Sequence, residues 1–206
     1  MAAYYNRWKT QLTYTRLNIS RDLKWDKHIN IVQKKANSVL GFIRRNLIHC
    51  PSKLKELAYF ALVRSKLEYG AAIWDPYTKH NIDKIEKIQR RASRFVTRTY
   101  EQKASVTELL DKLKWDTLEK RRKNQRLSLL YKIHNNTLTV PSENYLVFNN
   151  STTRQGKKNN FRILRSNTEI HRQSYFPRTV KDWNALPQDV KECNTLTAFK
   201  ERLRTA

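Results

Sequence analysis

Basic residues recur at helical spacing over residues 84–98, and they are the first candidates for chemistry in this chain. At about 100° per residue they fall on one face of a helix, with the isoleucines and Phe95 on a face about 120° away. This face has nearly one sign and spans about 21 Å at 1.5 Å per residue. We therefore predict that it binds a row of backbone phosphates. The alternative is a solvated surface, which usually mixes both signs. The basic residues are Lys84, Lys87, Arg91, Arg94 and Arg98.

Three other groups of basic residues extend this prediction. Lys34 and Arg45 point away from the apolar face of a helix predicted over about 26–46. The run Lys120–Lys123, which includes Arg121, is open to three interpretations: phosphate contact, a nuclear import signal or a charged helix surface. Lys157 and Lys158 lie in a polar segment that could close on a nucleic-acid backbone by ordering upon binding. The predicted nucleic-acid-binding residues are Lys84, Lys87, Arg91, Arg94, Arg98, Lys34, Arg45, Arg121, Lys123, Lys157 and Lys158.

The residues needed for catalysis or metal binding are not arranged for either. No two acidic residues are adjacent, so the paired aspartates of a polymerase palm are absent. Asp83 and Glu86 lie near Lys87 and Arg90, which fits ordinary helix-surface pairing. His49 and Cys50 have no second Cys or His within zinc-ligand spacing, and the three glycines cannot form a phosphate-binding loop. We predict no catalytic residue, metal or cofactor on this chain.

The charge balance indicates a polyanionic partner. The chain has 206 residues, with 42 Lys or Arg against 18 Asp or Glu, and a formal net charge of +24. Nucleic acid is the first candidate, an anionic membrane surface the second and an acidic protein the third. No apolar stretch approaches a membrane span, and the start of the chain lacks a signal-peptide core. Two distant cysteines fit a reduced, nuclear or cytoplasmic protein that is not secreted.

Apolar periodicity predicts a mostly helical fold. The second predicted helix has an apolar stripe made of Leu54, Leu57, Ala58, Ala61 and Leu62. An apolar corner follows, with Tyr69, Trp74 and Tyr77 buried, and core packing is also predicted for the tryptophans at 25, 115 and 183. A polar stretch at 149–160 precedes possible short strands over 161–166 and 171–176. Helices are predicted over about 26–46, 51–68, 79–97, 106–113, 117–134, 180–186 and 197–204.

Several strings in a fixed order resemble a known family. They are LKWDKHI (23–29), LGFIRRNL (40–47), LEYGAAIWDPY (67–77), IEKIQRRASRF (85–95), SVTELLDKLKWDTLEKRR (105–122) and YFPRTVKDWNALP (175–187). Their order and spacing resemble the C-terminal part of reverse transcriptases from LINE-like, jockey-type non-LTR retrotransposons, over about residues 14–203. That family is an RNA-directed DNA polymerase whose magnesium ions are held by palm aspartates. Where the family usually reads Tyr-Leu-Gly, this chain has Tyr14-Thr15-Arg16.

The resemblance implies a thumb that grips template and product strands and a following region that engages RNA. We accordingly expect a helical thumb-like bundle over 14–135, a polar linker over 136–160 and a small α+β subdomain over 161–206, with 1–13 unassigned. The leading hypothesis is a non-catalytic fragment that binds RNA or DNA backbones without sequence preference, beside a missing palm and fingers. The alternatives are part of an active reverse transcriptase whose palm is encoded upstream, and a basic protein with acidic partners.

Overall fold

The computed structural model describes residues 11–14, 16–101, 104–149 and 159–205, and this part of the chain is mostly helical, as the sequence predicts. It divides into two compact units. The first comprises the described residues up to Gly70 together with Pro76–Leu118. The second comprises Ala71–Asp75 and the described residues from Glu119 onward.

The first unit begins with an antiparallel hairpin and continues as helices. Strands β1 (Gln11–Tyr14) and β2 (Leu17–Ser20) pair with Leu12 opposite Ile19. The helices that follow are α1 (Asp26–Asn46), α2 (Ser52–Ala58), a π-helical segment (Tyr59–Arg64), α3 (Ser65–Glu68), α5 (Lys79–Thr97) and α6 (Val106–Lys112). Helix α6 starts as a capping sequence predicts, because the Ser105 side chain accepts a hydrogen bond from the Glu108 backbone N–H.

The core of the first unit forms where α1, α5 and the π-helical segment meet. The apolar spacing of α1 predicts that Ile29, Val32, Ala36, Val39, Leu40 and Ile43 share its buried face. The structure buries Ile29, Ala36, Leu40 and Ile43 and leaves Val32 and Val39 half-buried. Helix α5 buries a much broader face than one stripe, because α1, α2 and α6 all pack against it. The residues that α5 contributes to the core include Ile85, Ile88, Ala92, Phe95 and Val96.

The predicted stripe of the second helix is wrong. The structure leaves Leu54, Leu57 and Leu62 exposed by 45%, 62% and 45%, and it buries a different set of residues instead. These are Lys55, Tyr59, Val63 and Leu67. The contacts of Tyr59 determine which face of this helical segment is buried. Its ring stacks on Trp115 with a centroid distance of 4.7 Å, and its hydroxyl donates to Gln89 Oε1 at 3.0 Å. Packing against these partners outweighs the larger apolar area of the leucines.

The apolar corner is only partly buried. Trp74 is fully buried, as predicted, but Tyr69 and Tyr77 are 50% and 37% exposed. The chain enters helix α4 (Ala71–Trp74) through Gly70, whose φ of +61° lies in the left-handed region. A Cβ at this position would also lie 3.3 Å from the Leu17 side chain, so conformation and space both favour glycine.

The second unit is built on one long helix and several short ones. Helix α7 (Leu118–His134) precedes α8 (Glu169–Arg172), α9 (Tyr175–Asn184), α10 (Gln188–Lys191) and α11 (Leu196–Thr205). Its core is formed by the buried side chains Leu127, Leu130, Tyr131, Phe161, Val180, Trp183, Leu186, Val190, Cys193, Phe199 and Leu203. The sequence places the end of the first domain at 135. In the structure the boundary between the two compact units falls between Leu118 and Glu119, and α7 supplies core residues to the second unit.

The strands predicted after the polar stretch do not form. Residues 171–176 lie in α8, a turn and the start of α9, and at 161–166 only Phe161 makes an isolated bridge, to Phe148. The side chain of Asn184 explains how Phe161 is held without a sheet. Its Oδ1 accepts from the Phe161 N–H at 3.0 Å and its Nδ2 donates to the Phe161 carbonyl at 2.8 Å.

Both cysteines are free thiols, Cys193 buried and Cys50 half-buried. Among the helices of the described residues, none combines the length and the apolar character needed to cross a bilayer.

Candidate nucleic-acid interface

Helices α1 and α5 lie side by side and run in the same direction. Lys84 Nζ donates to Asn30 Oδ1 at 2.9 Å, and Arg91 Nη1 donates to Asn37 Oδ1 at 3.2 Å. In both pairs the two residues are 54 positions apart in the sequence. The second pair is therefore seven residues further along both helices than the first, which shows that the helices run parallel. This spacing is two helical turns, which keeps successive residues on nearly the same face. Lys84 and Arg91 therefore form a row along the junction of two parallel helices.

Arg98 continues this row beyond the end of both helices. It is the C-cap of α5 and has φ of 57°, the left-handed conformation that ends a helix. Its Nη2 donates to the backbone carbonyls of Ile48 and Cys50, each at 3.3 Å, in the loop after α1. Its side chain is thus held against the α1 side of the unit. We call Lys84, Arg91 and Arg98 the α5 row.

The acceptors of the α5 row are all electrically neutral. Two are side-chain amides and the others are backbone carbonyls, so the hydrogen bonds orient the three cations without cancelling their charge. Within the described residues, none of the five basic residues predicted on α5 forms an ion pair with a carboxylate. The nearby Asp83 instead pairs with Arg90 at 3.6 Å, on a more exposed part of the helix. The result is a positive surface with fixed geometry.

The other predicted residues of the first unit flank the α5 row. Lys87 is exposed, and Arg94 is half-buried with an Nε that has no hydrogen-bond partner in the described part of the chain. Lys34 and Arg45 are exposed on α1, about 40–80° around the helix from the asparagines that face α5. They extend the positive surface from α5 onto α1. Together the two helices carry eleven Lys or Arg and three Asp or Glu.

Lys55 is a cation of this region that the sequence analysis missed. It is almost completely buried, with its ammonium 5.0 Å from the centre of the Phe95 ring. Burial lowers the pKa of Lys55, and the positive charge of Arg98 lowers it further. Lysines are seldom buried without a carboxylate partner, so periodicity alone gives no signal for this position.

The basic run at the start of α7 does not form one surface. Lys120 Nζ donates to the Arg204 carbonyl at 3.1 Å, and Lys123 Nζ lies 3.9 Å from Asp182. Arg122 is fully buried, whereas Arg121 is half-buried. Consecutive helical residues turn by about 100°, so a run of four cations must spread around the helix. Phosphate binding by Arg121 and Lys123 remains a prediction.

The buried arginines of the second unit converge on Asp75. Arg122 Nε donates to Asp75 Oδ1 and Arg126 Nε to Asp75 Oδ2, both at 2.8 Å, and Arg178 Nη2 lies 3.3 Å from Oδ2. Arg126 Nη2 also reaches Asp182 Oδ2 at 2.9 Å. Burial lowers the pKa of Arg178, and the Asp75 carboxylate opposes that shift. We call these five residues the Asp75 cluster.

The sequence contains only a weak signal for the Asp75 cluster. Arg122 and Arg126 are one turn apart on α7, but Asp75 and Arg178 are far away along the chain. The cluster is a structural use of basic residues, because its carboxylates neutralise most of its positive charge. Lys157 and Lys158 lie outside the described residues. Within the described ranges, no three His, Cys, Asp or Glu side chains are grouped closely enough to hold a metal ion.

Comparison with known proteins identified no matching family model, no similar curated protein and no similar solved structure.

Proposed function

We propose that this chain is a nucleic-acid-binding module that holds RNA or DNA by its sugar–phosphate backbone, through the basic surface of α1 and α5. The observation that carries the proposal is the α5 row, whose three cations are oriented by neutral acceptors and keep their charge. Phosphate oxygens are the natural partners of such cations, and each contact releases a counterion from the nucleic acid. Nuclear or cytoplasmic location belongs to the same proposal.

Binding through the backbone gives little sequence preference. Base reading needs side chains that enter a groove or rings that stack on unpaired bases. Trp74, Trp115 and Trp183 are at most 7% exposed, so these rings are committed to packing and are not available as stacking platforms. The basic surface instead presents a row of oriented cationic side chains along a helix, which suits repeated phosphates.

The resemblance to the thumb and post-thumb region of LINE-like reverse transcriptases supports this proposal. A thumb grips template and product strands without catalysing synthesis, and the paired palm aspartates do not occur in this sequence. We propose that the first unit is the thumb-like bundle and that chemistry requiring Mg²⁺ belongs to another part of the polymerase.

A second candidate is that this chain completes an active reverse transcriptase whose palm is encoded upstream. The exposed leucines of α2 and the π-helical segment favour it. Leu54, Leu57 and Leu62 lie on one side of the helix and are each at least 45% exposed. Apolar faces of this kind often contact another part of a protein.

An anisotropy titration with labelled RNA, DNA and hybrid duplexes tests the binding proposal. Replacing Lys84, Arg91 and Arg98 together with alanine should weaken binding about tenfold or more at low salt. The slope of log K against log salt should fall by about 2–3, since each phosphate contact contributes about 0.9. The matched control is Lys53→Ala/Lys112→Ala/Lys200→Ala, which removes three exposed charges elsewhere. An equal loss in both variants, or a flat salt dependence, contradicts the proposed surface.

Two further assays separate the alternatives. Primer extension by this chain alone should give no product, and any synthesis contradicts the non-catalytic part of the proposal. Binding to anionic vesicles without binding to RNA or DNA would favour a lipid-binding protein instead.

A further inference from the structure

A cavity of about 420 Å³ lies in the first unit, on a different side of α1 from the α5 row. It is bounded by the hairpin turn, α1 and α3. Its lining residues Val32 and Lys35 are about 140–200° around α1 from Asn30, which faces α5. The cavity is therefore separate from the proposed backbone-binding surface. Its volume is within the range of about 300–1,000 Å³ that small-molecule sites occupy.

Three cations line this cavity. Arg16 comes from the hairpin turn, Lys35 from α1 and Lys66 from α3, and no Asp or Glu lines the cavity. In the described part of the chain, none of these three side chains makes a hydrogen bond or an ion pair. Cations that converge from three elements with no carboxylate between them make a site for an anion. A phosphate group matches this charge and can accept hydrogen bonds from all three.

The walls of the cavity are apolar and aromatic. Ile31 and Val32 line it from α1, and Tyr69 lines it with half of its surface exposed. An exposed tyrosine ring beside an anion site is suited to stacking on a flat heterocycle. The cavity thus combines the two features that a nucleotide needs, cationic side chains and a ring surface.

His28 adds a polar group to the lining. It is buried, and its Nδ1 accepts a hydrogen bond from the Asn18 backbone N–H at 3.3 Å. In the neutral ring this places the hydrogen on Nε2. Burial lowers the pKa of His28, and the positive charge of Lys35 lowers it further. Both effects disfavour the charged form of the ring.

We propose that this cavity binds one nucleoside monophosphate unit, with its phosphate among Arg16, Lys35 and Lys66 and its base against Tyr69. The inference rests on the proposed function for the choice of a nucleic-acid ligand, and it deepens that function. The unit is either a free nucleotide or one unstacked nucleotide of a single strand. A strand bound in this way would be held at a second point, away from the α5 row.

Titrations of the full chain, labelled with ¹⁵N, with AMP, inorganic phosphate and a (dT)₆ oligonucleotide test this proposal by NMR. AMP should shift amide signals at 28–35 and 65–69 in a saturable way. Lys35→Ala/Lys66→Ala should weaken AMP binding by at least about tenfold, because charge-assisted hydrogen bonds are lost. Tyr69→Ala should weaken AMP binding by at least about fivefold and leave phosphate binding unchanged, whereas Tyr69→Phe should retain both.

The controls separate this site from the α5 row. Lys53→Ala/Lys112→Ala removes two exposed charges and should leave AMP binding unchanged. The triple alanine variant of the α5 row should also keep AMP binding while losing duplex binding, so either proposal can fail alone. Stronger binding of (dT)₆ than of AMP, lost in the same variants, identifies a strand as the source of the nucleotide, and the reverse order identifies a free nucleotide.

Two results would overturn the cavity proposal. One is AMP-induced shifts that are absent from both segments or insensitive to the Lys35/Lys66 replacement. The other is equal affinity for AMP and inorganic phosphate with no effect of Tyr69→Ala, which would leave only a simple anion site.

Discussion

Helices α5 and α7 use the same kind of residue for opposite purposes. Each carries six Lys or Arg, and α7 has fewer acidic residues than α5. Nevertheless, Arg122 and Arg126 of α7 are buried against Asp75, whereas Lys84 and Arg91 of α5 remain at the surface. The number of basic residues in a helix therefore does not tell whether that helix presents positive charge to a partner.

The difference lies in the acceptors that the fold supplies. On α7 the acceptors are carboxylates, so the arginines are neutralised and become part of the structure of the second unit. On α5 the acceptors are amides and carbonyls, so the side chains are oriented and the charge is kept. Removing one member of a buried ion cluster strongly destabilises the fold, because the remaining charges are left uncompensated. An exposed row held by neutral groups remains free to attract an anion.

The largest expected effect comes from breaking the Asp75 cluster. Asp75→Asn leaves three arginines around a neutral amide, two of them almost fully buried, and should lower the free energy of unfolding of the second unit by about 3–5 kcal/mol. Urea denaturation monitored by tryptophan fluorescence measures this, since Trp74 and Trp183 are buried in that unit. The control Asp83→Asn breaks an exposed pair and should change little. A loss below about 1 kcal/mol in Asp75→Asn would show that the cluster is not structural.

A smaller effect should follow when the α5 row is made to resemble the Asp75 cluster. Asn30→Asp/Asn37→Asp replaces neutral acceptors by carboxylates and should neutralise Lys84 and Arg91. Affinity for duplex nucleic acid should fall several-fold, and the salt slope should fall by about two, as measured by anisotropy. Stability should hardly change, because exposed ion pairs contribute little.

The matched control for this variant has the same net charge. Asn167→Asp/Asn194→Asp places two carboxylates at exposed positions of the second unit. If both double variants lose affinity equally, overall charge rather than the α5 row controls binding.

The smallest effect concerns His134 at the end of α7, where burial disfavours the protonated form of the ring. Its ring contacts Phe148, Phe161 and Trp183 with centroid distances of 5.6, 5.4 and 5.9 Å. Burial lowers the pKa of His134 in the folded chain. The unfolded chain consequently binds more protons below about pH 6.5. Stability should be complete above that pH and should decrease on acidification towards the lower pKa of the folded state.

Thermal unfolding at a series of pH values between 7 and 5 measures this effect, which we expect to be a fraction of a kcal/mol. The variant His134→Gln should reduce the slope of stability against pH, although it also removes ring packing. The comparison must therefore be between slopes and not between absolute stabilities. Burial lowers the pKa of His28 in the same direction, so a residual slope should remain. An unchanged slope in His134→Gln would show that this residue does not control the acid response.

Much of the helical framework could be predicted because its signals are local. Periodicity located α1 and α5, and the Ser105 and Glu108 pair located the start of α6. The predicted burial of Trp74, Trp115 and Trp183 is also confirmed, whereas Trp25 is only half-buried. Periodicity failed at residues 51–68, where several faces are apolar enough to be buried. There the contacts of Tyr59 with Trp115 and Gln89 selected the face.

The sequence by itself determined that this chain is helical and strongly basic, and that the cations of α5 share one face of their helix. Those properties depend on residue type and on spacing along one helix. Only the tertiary structure decided that Asn30 and Asn37 face Lys84 and Arg91, while Asp75 meets Arg122, Arg126 and Arg178. These partners are tens of residues apart, and their pairing depends on how whole helices pack. The physical reason is that a cation keeps or loses its charge through its nearest acceptor, which the neighbouring sequence does not specify.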